Sequence, residues 1–73
     1  MEDAWLRRNL AKNIKSLLAK RGWSLTVLAD FAGVSRAQMY KIVGEQHAAS
    51  IDWLQKVSKA LEVDPWNLLK PPN

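Results

Sequence analysis

Residues 24–44, SLTVLADFAGVSRAQMYKIVG, contain two short apolar segments, each opened by a serine and closed by a glycine. Serine is a preferred helix N-cap, so Ser24 and Ser35 predict two helix starts. Gly33 is expected to end the first of these helices, because glycine adopts the left-handed backbone conformation without steric cost. Val34 is apolar and is expected to fill the corner. Two short helices joined by such a turn form a helix-turn-helix unit.

Apolar residues before this unit recur at steps of three and four positions, which is the spacing of one face of a helix. They are Leu6, Leu10, Ile14, Leu17 and Leu18. The segment from about Asp3 to Arg21 is therefore predicted to be an amphipathic helix. Asp3 is its expected N-cap, and Gly22 is expected to end it.

Two further helix starts follow the central pair. Ser50 is the expected N-cap of a fourth helix. Its predicted inner face consists of Ile51, Leu54, Val57, Ser58 and Leu61. Asp64 and Pro65 predict a short fifth helix, because aspartate caps helices and proline suits the first helical position. No segment has the period-two alternation of a strand. The chain is therefore predicted to be all-α, with five helices.

Length and composition restrict the class of protein. A chain of 73 residues suits one domain, which we take to span residues 1–73. The net charge of +4 and the pI near 9.8 favour a polyanionic partner such as nucleic acid, although a basic domain without such a partner has the same composition. No cysteine is present, which excludes disulfides and thiolate metal sites. No apolar run reaches the roughly 18 residues of a membrane span, and no signal-peptide pattern opens the chain. We therefore expect a cytoplasmic protein, bacterial or phage-encoded.

Several short motifs occur in order along the chain: Leu28-Ala29, Gly33-Val34-Ser35, Met39 with Ile42, Ala60-Leu61 with Val63, and Leu68-Leu69. In this order and spacing they resemble the phage repressor and Cro family (Xre-type regulators) over about residues 10–69. The resemblance implies a five-helix, lambda-repressor-like DNA-binding domain whose helix-turn-helix is formed by helices 2 and 3. It also implies a transcription regulator, a repressor or an activator, that binds a two-fold operator in double-stranded DNA as a homodimer.

Three features depart from the pattern of that family. Leu25 stands where many relatives carry a glutamine that contacts the DNA backbone, and leucine cannot make that hydrogen bond. Leu18 and Val43 stand where some phage repressors pair a buried arginine with a glutamate. Because both are apolar here, no charge is left buried alone, and helices 1 and 3 are still expected to meet there. The loop at residues 45–49 lacks the lysine or arginine that relatives often place against a phosphate.

The outward residues of the third helix are the candidate base-reading side chains: Arg36, Ala37, Tyr40 and Lys41. A helix in the major groove reads base edges with side chains of its first turns. Arg36 can grip O6 and N7 of a guanine with its planar fork. Lys41 can reach a guanine or a phosphate, Ala37 suits a thymine methyl group, and Tyr40 can stack or bond a phosphate.

The expected contacts to backbone phosphates, which fix register without reading sequence, come from Ser24, Ser35 and Gln38. The other interpretation of Arg36 and Lys41 is that they are solvated surface charges.

Tryptophan occurs four times, and core packing is its common role in so small a chain. Trp23 is expected to cover the core between the first two helices, and Trp53 is expected to pack inside. For Trp66 the resemblance implies a second role, because the region of the fifth helix forms the two-fold interface in that family. We therefore predict a dimer interface of Pro65, Trp66 and Leu69.

Other function classes have less support in the sequence. His47 is the only histidine, and no cysteine, second histidine or nucleophile lies near it. We therefore predict no enzymatic activity, no catalytic or metal-binding residues, no cofactor and no small-molecule ligand. The alternative to DNA binding is a protein-interaction adaptor on the same helical fold, which Leu25 and the cation-poor loop favour slightly.

Overall fold

The computed structural model describes residues 5–72, which contain α-helices and no β-strand. The helices are α1 (Trp5–Arg21), α2 (Leu25–Ala32), α3 (Arg36–Val43), α4 (Ile51–Leu61) and α5 (Trp66–Leu69). The all-α, five-helix prediction is confirmed. Asp3, the predicted N-cap of α1, lies outside the described residues. None of the described helices is long and apolar enough to cross a lipid bilayer.

Serine side chains fix the starts of α2, α3 and α4, as the sequence predicts. Each Oγ accepts a hydrogen bond from a backbone N–H of the first turn, which satisfies one of the donors that a helix start leaves unpaired. The pairs are Ser24 with Val27 at 3.1 Å, Ser35 with Gln38 at 3.2 Å, and Ser50 with Trp53 at 3.0 Å.

The corner between α2 and α3 depends on Gly33, which has a φ of 72° and a ψ of 32°. The backbone N–H of Val34 donates to the carbonyl of Ala29 at 3.1 Å, and that of Gly33 to the carbonyl of Asp30 at 3.3 Å. These bonds close the end of α2 in the manner of a Schellman motif. Val34 is half-buried against the core and fills the corner, so α3 leaves it in a fixed direction.

The core lies where α1 meets α3 and α5 and where α2 meets α3 and α4. Its fully buried large side chains are Ile14, Leu28, Met39, Ile42, Val43, Val57, Leu61 and Leu68. Leu18 and Val43 both belong to this cluster, as expected from the joint loss of the ion pair, and α1 packs against α3. Trp23 packs half-buried at the edge of the cluster and stacks on the exposed ring of Phe31, with centroids 5.0 Å apart.

The predicted inner face of α4 is wrong at one position. Ile51 is 83% exposed, whereas Trp53 is buried. At about 100° per residue, Trp53, Val57 and Leu61 define the buried face, and Ile51 falls on its margin at the open end of the helix. The serine cap precedes Ile51 directly, so no earlier turn covers its side chain.

Helix α5 is tied to α1 by two asparagine side chains. Asn13, which is buried, donates from Nδ2 to the carbonyls of Leu68 at 2.9 Å and Lys70 at 2.8 Å. Asn9 donates to the carbonyl of Leu69 at 3.1 Å. These bonds satisfy carbonyls at the end of α5, which is too short to be stable without such contacts.

The start of α5 is close to the predicted one. The helix begins at Trp66, one residue after the Pro65 start that the sequence predicts. Asp64 is nevertheless the capping side chain, since its Oδ1 accepts the backbone N–H of Trp66 at 3.0 Å.

Candidate nucleic-acid interface

Helix α3 has one buried face and one open face. Met39, Ile42 and Val43 are buried against the rest of the molecule. The other side chains are all exposed: Arg36, Ala37, Gln38, Tyr40 and Lys41. The structure therefore places all four predicted base-reading residues, together with Gln38, on one solvent-facing surface. We call this surface the α3 face.

Arg36 lies at the first position of α3 and is held by Asp30 of α2. Its Nε donates to Oδ1 of Asp30 at 3.0 Å, and its Nη2 donates to Oδ2 at 2.8 Å. Both side chains stay open to solvent, at 63% exposure for Arg36 and 53% for Asp30. The hydrogen bond from Arg36 lowers the pKa of the Asp30 carboxyl below its ordinary value, and the same bond raises the pKa of Arg36. Both groups are therefore charged at neutral pH.

Tyr40 is held in a similar way by Thr26 of α2. The Tyr40 hydroxyl and Thr26 Oγ1 lie 2.8 Å apart and share a hydrogen bond. Tyr40 stays 52% exposed. A role for Asp30 or Thr26 was not predictable from the sequence, because residue spacing does not indicate which side chains meet across the corner.

A shallow concavity of about 220 Å³ adjoins the α3 face, between the first turns of α3 and α4. Ser35, Gln38, Ser50 and Lys56 line it together with the carboxylate of Asp52. Two helix N-termini open into this concavity, and helix N-termini attract anions through free N–H groups and the helix dipole. Lys56 adds a full positive charge. We call this concavity the α3–α4 cleft.

Trp53 also lines the α3–α4 cleft and carries an unusual polar atom. The residue is 3% exposed, and its indole Nε1 has no hydrogen-bond partner among the described residues. Buried indole N–H groups usually have a partner. The sequence correctly predicts that Trp53 is buried, but it does not show that Ser50, Trp53 and Lys56 line one cleft. The available signal was their spacing over the first two turns of α4, which places a serine cap and a lysine near one helix end.

The serines predicted to contact phosphates are exposed at the starts of α2 and α3. Ser24 and Ser35 use their oxygens to accept the capping hydrogen bonds. A hydroxyl that accepts one bond still has its own hydrogen to donate. Leu25, which follows Ser24, is half-buried and packs against the core. Its side chain therefore contributes to packing instead of to a polar surface.

The residues predicted to form a dimer interface lie on and beside α5. Trp66 is 62% exposed, Pro65 is exposed, and Leu69 is half-buried against the core. Trp66 therefore does not have the core role that is common for tryptophan.

Among residues 5–72, no group of three or more histidine, cysteine, aspartate or glutamate side chains lies close enough to hold a metal ion. His47 is exposed in the loop between α3 and α4.

Comparison with known proteins agrees with this geometry. The family model for the Cro/C1-type HTH DNA-binding domain matches residues 13–73. The HTH-type transcriptional regulator SutR of Escherichia coli strain K12 is 34% identical over 67 residues, which are 92% of this chain and 38% of SutR. The chain thus spans less than half the length of that relative.

A solved structure has the same fold. The hypothetical transcription factor NHTF from Neisseria aligns with a TM-score of 0.87 at 30% identity, and the alignment covers 92% of this chain and 77% of that one.

Proposed function

The chain belongs to the Cro/C1-type helix-turn-helix DNA-binding family, and we propose that it is a repressor that binds a two-fold operator as a homodimer. In this proposal residues 1–73 act as one DNA-binding domain, in the cytoplasm, and carry out no chemical step. The observation that carries the proposal is the open α3 face, on which Arg36 and Lys41 project from a helix fixed by the Gly33 corner. A helix of this kind fits the major groove of B-form DNA.

Base reading is assigned to the first two turns of α3. Arg36 has the planar fork that matches O6 and N7 of a guanine. Lys41 follows on the same exposed side and can reach a guanine or a phosphate. Ala37 offers a methyl group to a thymine methyl, and Tyr40 offers the exposed part of its ring.

Phosphate binding is assigned to the helix starts that flank α3. Ser24, Ser35 and Gln38 lie at the beginnings of α2 and α3, where free backbone N–H groups add to the side-chain donors. We add Lys56 of the α3–α4 cleft to this set. It supplies a cation to the cleft that Ser50, the residue after the cation-poor loop, also lines, whereas relatives often have a cation in the loop itself.

The homodimer is proposed to form through α5. A two-fold interface brings the same surface of both copies together, so one exposed Trp66 meets the other or the α5 region around it. Pro65 and Leu69 flank Trp66 on this element. Two α3 helices carried by such a dimer would enter successive major grooves on one side of the DNA.

The proposal is tested by selecting bound sequences from a random DNA pool and then titrating salt against the selected site. We expect a two-fold consensus whose half-site centres are about 10 bp, or a multiple of it, apart. Binding should weaken steeply as salt rises, because each phosphate contact releases counterions. A pool that yields no consensus would contradict the proposal.

The protein-interaction adaptor remains the second candidate. The half-buried Leu25 and the loop without lysine or arginine favour it. The DNA-binding titration described above distinguishes the adaptor from the proposed regulator. An adaptor would show only weak binding of every DNA sequence alike, whereas the proposed regulator separates its selected site from other sequences by a large factor.

A further inference from the structure

We infer that Asp30 and Thr26 of α2 are positioning residues for DNA recognition, which hold Arg36 and Tyr40 in the orientation that reads one base step of the operator. This inference rests on the proposed function. It concerns which residues set specificity, and neither Asp30 nor Thr26 touches a base in it.

Both pairs join the two helices of the helix-turn-helix on its exposed side. Thr26 and Asp30 are four residues apart on α2, and Arg36 and Tyr40 are four residues apart on α3. Residues at this spacing lie on one face of a helix. Asp30 contacts Arg36 near the corner, and Thr26 contacts Tyr40 one turn further away. Two of the four candidate base-reading side chains of the α3 face are thus anchored by α2.

The hydrogen bonds to Asp30 leave the base-reading edge of Arg36 open. A guanidinium group carries five N–H donors in a fixed plane. Asp30 accepts the one on Nε and one of the two on Nη2. Both hydrogens of Nη1 and the second hydrogen of Nη2 stay available. One hydrogen of Nη1 and the free hydrogen of Nη2 form the end-on edge of the fork, which can bind O6 and N7 of a guanine.

Stability gives a poor explanation for the Asp30–Arg36 pair. Both side chains are more than half exposed, and ion pairs in that setting contribute little to folding. A carboxylate beside a DNA-binding surface also repels phosphates and lowers affinity for all DNA. The Asp30 carboxylate is therefore expected to improve discrimination between bases, because a guanidinium with a fixed plane fits one base better than the others.

The experiment compares three DNAs: the selected operator, the operator with the Arg36 base pair changed, and an unrelated duplex. The variant is Asp30→Asn, whose amide cannot accept both N–H donors. Glu45→Gln is the matched control, since it removes one negative charge from another exposed residue. Thermal unfolding and circular dichroism check that each variant folds.

We expect Asp30→Asn to lower the preference for the operator over the changed operator by about tenfold, while binding of the unrelated duplex stays equal or rises. Glu45→Gln should leave the preference unchanged. Asp30→Glu keeps a carboxylate at this position and should therefore retain part of the preference for the operator over the changed operator. Thr26→Val frees the Tyr40 hydroxyl alone, so it should lower the preference for the operator over the unrelated duplex and leave the preference at the Arg36 base pair unchanged.

The coupling of the two residues separates this inference from the proposed function. In an Arg36→Ala background, Asp30→Asn should cause no further loss of preference. If Arg36→Ala abolishes the preference and Asp30→Asn changes binding to all DNAs by one common factor, the positioning role is wrong and the proposed function stands. If Arg36→Ala changes neither affinity nor preference, the base-reading role of Arg36 and the positioning role fall together.

Discussion

The Asn13 amide lies 2.9 Å from the carbonyl oxygen of Leu68, 55 residues further along the chain, and joins the middle of α1 to the end of α5. The same Nδ2 also donates to the carbonyl of Lys70. Because Asn13 is only 7% exposed, these bonds are shielded from water. This buried polar side chain therefore acts with Asn9 to fix the position of α5, and of Trp66 upon it.

Asn13→Ala should destabilise the fold by roughly 1–3 kcal/mol, because two partly shielded carbonyls lose their donor. Urea unfolding measures this as a lower midpoint with an unchanged slope. Ser16→Ala, at an exposed position on the same helix, is the control and should change stability by less than about 0.5 kcal/mol. Equal stabilities of Asn13→Ala and the wild type would contradict the structural role.

Capping and turn residues are the features that the sequence predicts best. Ser24, Ser35 and Ser50 start helices, and Gly33 forms the corner, since each acts on backbone within a few residues of itself. Polar contacts over longer distances were not predictable, although the meeting of α1 and α3 at Leu18 and Val43 was expected. Asn13 sits beside apolar residues on the buried side of α1, and only the packed fold shows which carbonyls it reaches.

The same distinction between local features and longer-range contacts applies to the candidate site. The exposure of Arg36, Tyr40 and Lys41 follows from the helical spacing of the buried residues of α3. The anchoring of Arg36 by Asp30 depends on how α2 and α3 cross and on the conformations of two long or polar side chains. Residue spacing shows neither of these, so the role of Asp30 was not predictable from the sequence.

Arg36→Ala should cost roughly 1–3 kcal/mol of binding to the selected operator, the value of a good two-point base contact. Arg36→Lys should recover little, because an ammonium group lacks the planar fork. Fluorescence anisotropy with operator and unrelated DNA measures both effects. Lys15→Ala, which removes one exposed positive charge from α1, should leave the preference for the operator intact. Unchanged affinity and preference in Arg36→Ala would remove the assigned role.

The titration of Asp30 should respond to loss of Arg36. The hydrogen bond from Arg36 holds the pKa of Asp30 below its ordinary value of 3.8, so Arg36→Ala should raise this pKa toward that value. A lowered carboxyl pKa contributes stability above the ordinary value, and the contribution is lost as pH falls through the lowered one. The pair should therefore be intact at neutral pH and be lost only as the pH falls below the ordinary carboxyl value of 3.8.

The side-chain carboxyl carbon of Asp30, followed by NMR from about pH 2 to pH 7, reports this pKa directly. Lys41→Ala is the control, since it also removes one positive charge from α3 and leaves the hydrogen bonds of Asp30 in place. A titration midpoint of Asp30 that is the same in Arg36→Ala and the wild type would show that the pair does not form in solution.

Lys56→Ala should weaken binding to every DNA sequence by a similar factor and reduce the salt dependence by about one phosphate contact. Lys56 lines the α3–α4 cleft beside two helix starts, whereas Lys59, on the same helix, does not line it. Lys59→Ala is therefore the matched control. If Lys56→Ala loses affinity for the operator alone, Lys56 reads a base. Equal salt slopes for Lys56→Ala and Lys59→Ala would argue against a phosphate in the cleft.

Trp66→Ala should weaken self-association, because Trp66 presents the largest exposed apolar side chain of the α5 region. Sedimentation equilibrium measures the monomer–dimer constant, and we expect it to shift toward monomer by at least about tenfold, since a buried interface tryptophan commonly contributes 2 kcal/mol or more. Ile51→Ala, which truncates an even more exposed apolar residue on α4, should leave the constant unchanged.

Operator binding by Trp66→Ala should fall steeply at low protein concentration and recover at high concentration, because the DNA contacts themselves are intact. A dimer constant that moves with Ile51→Ala and not with Trp66→Ala would place the two-fold interface on α4 instead of α5.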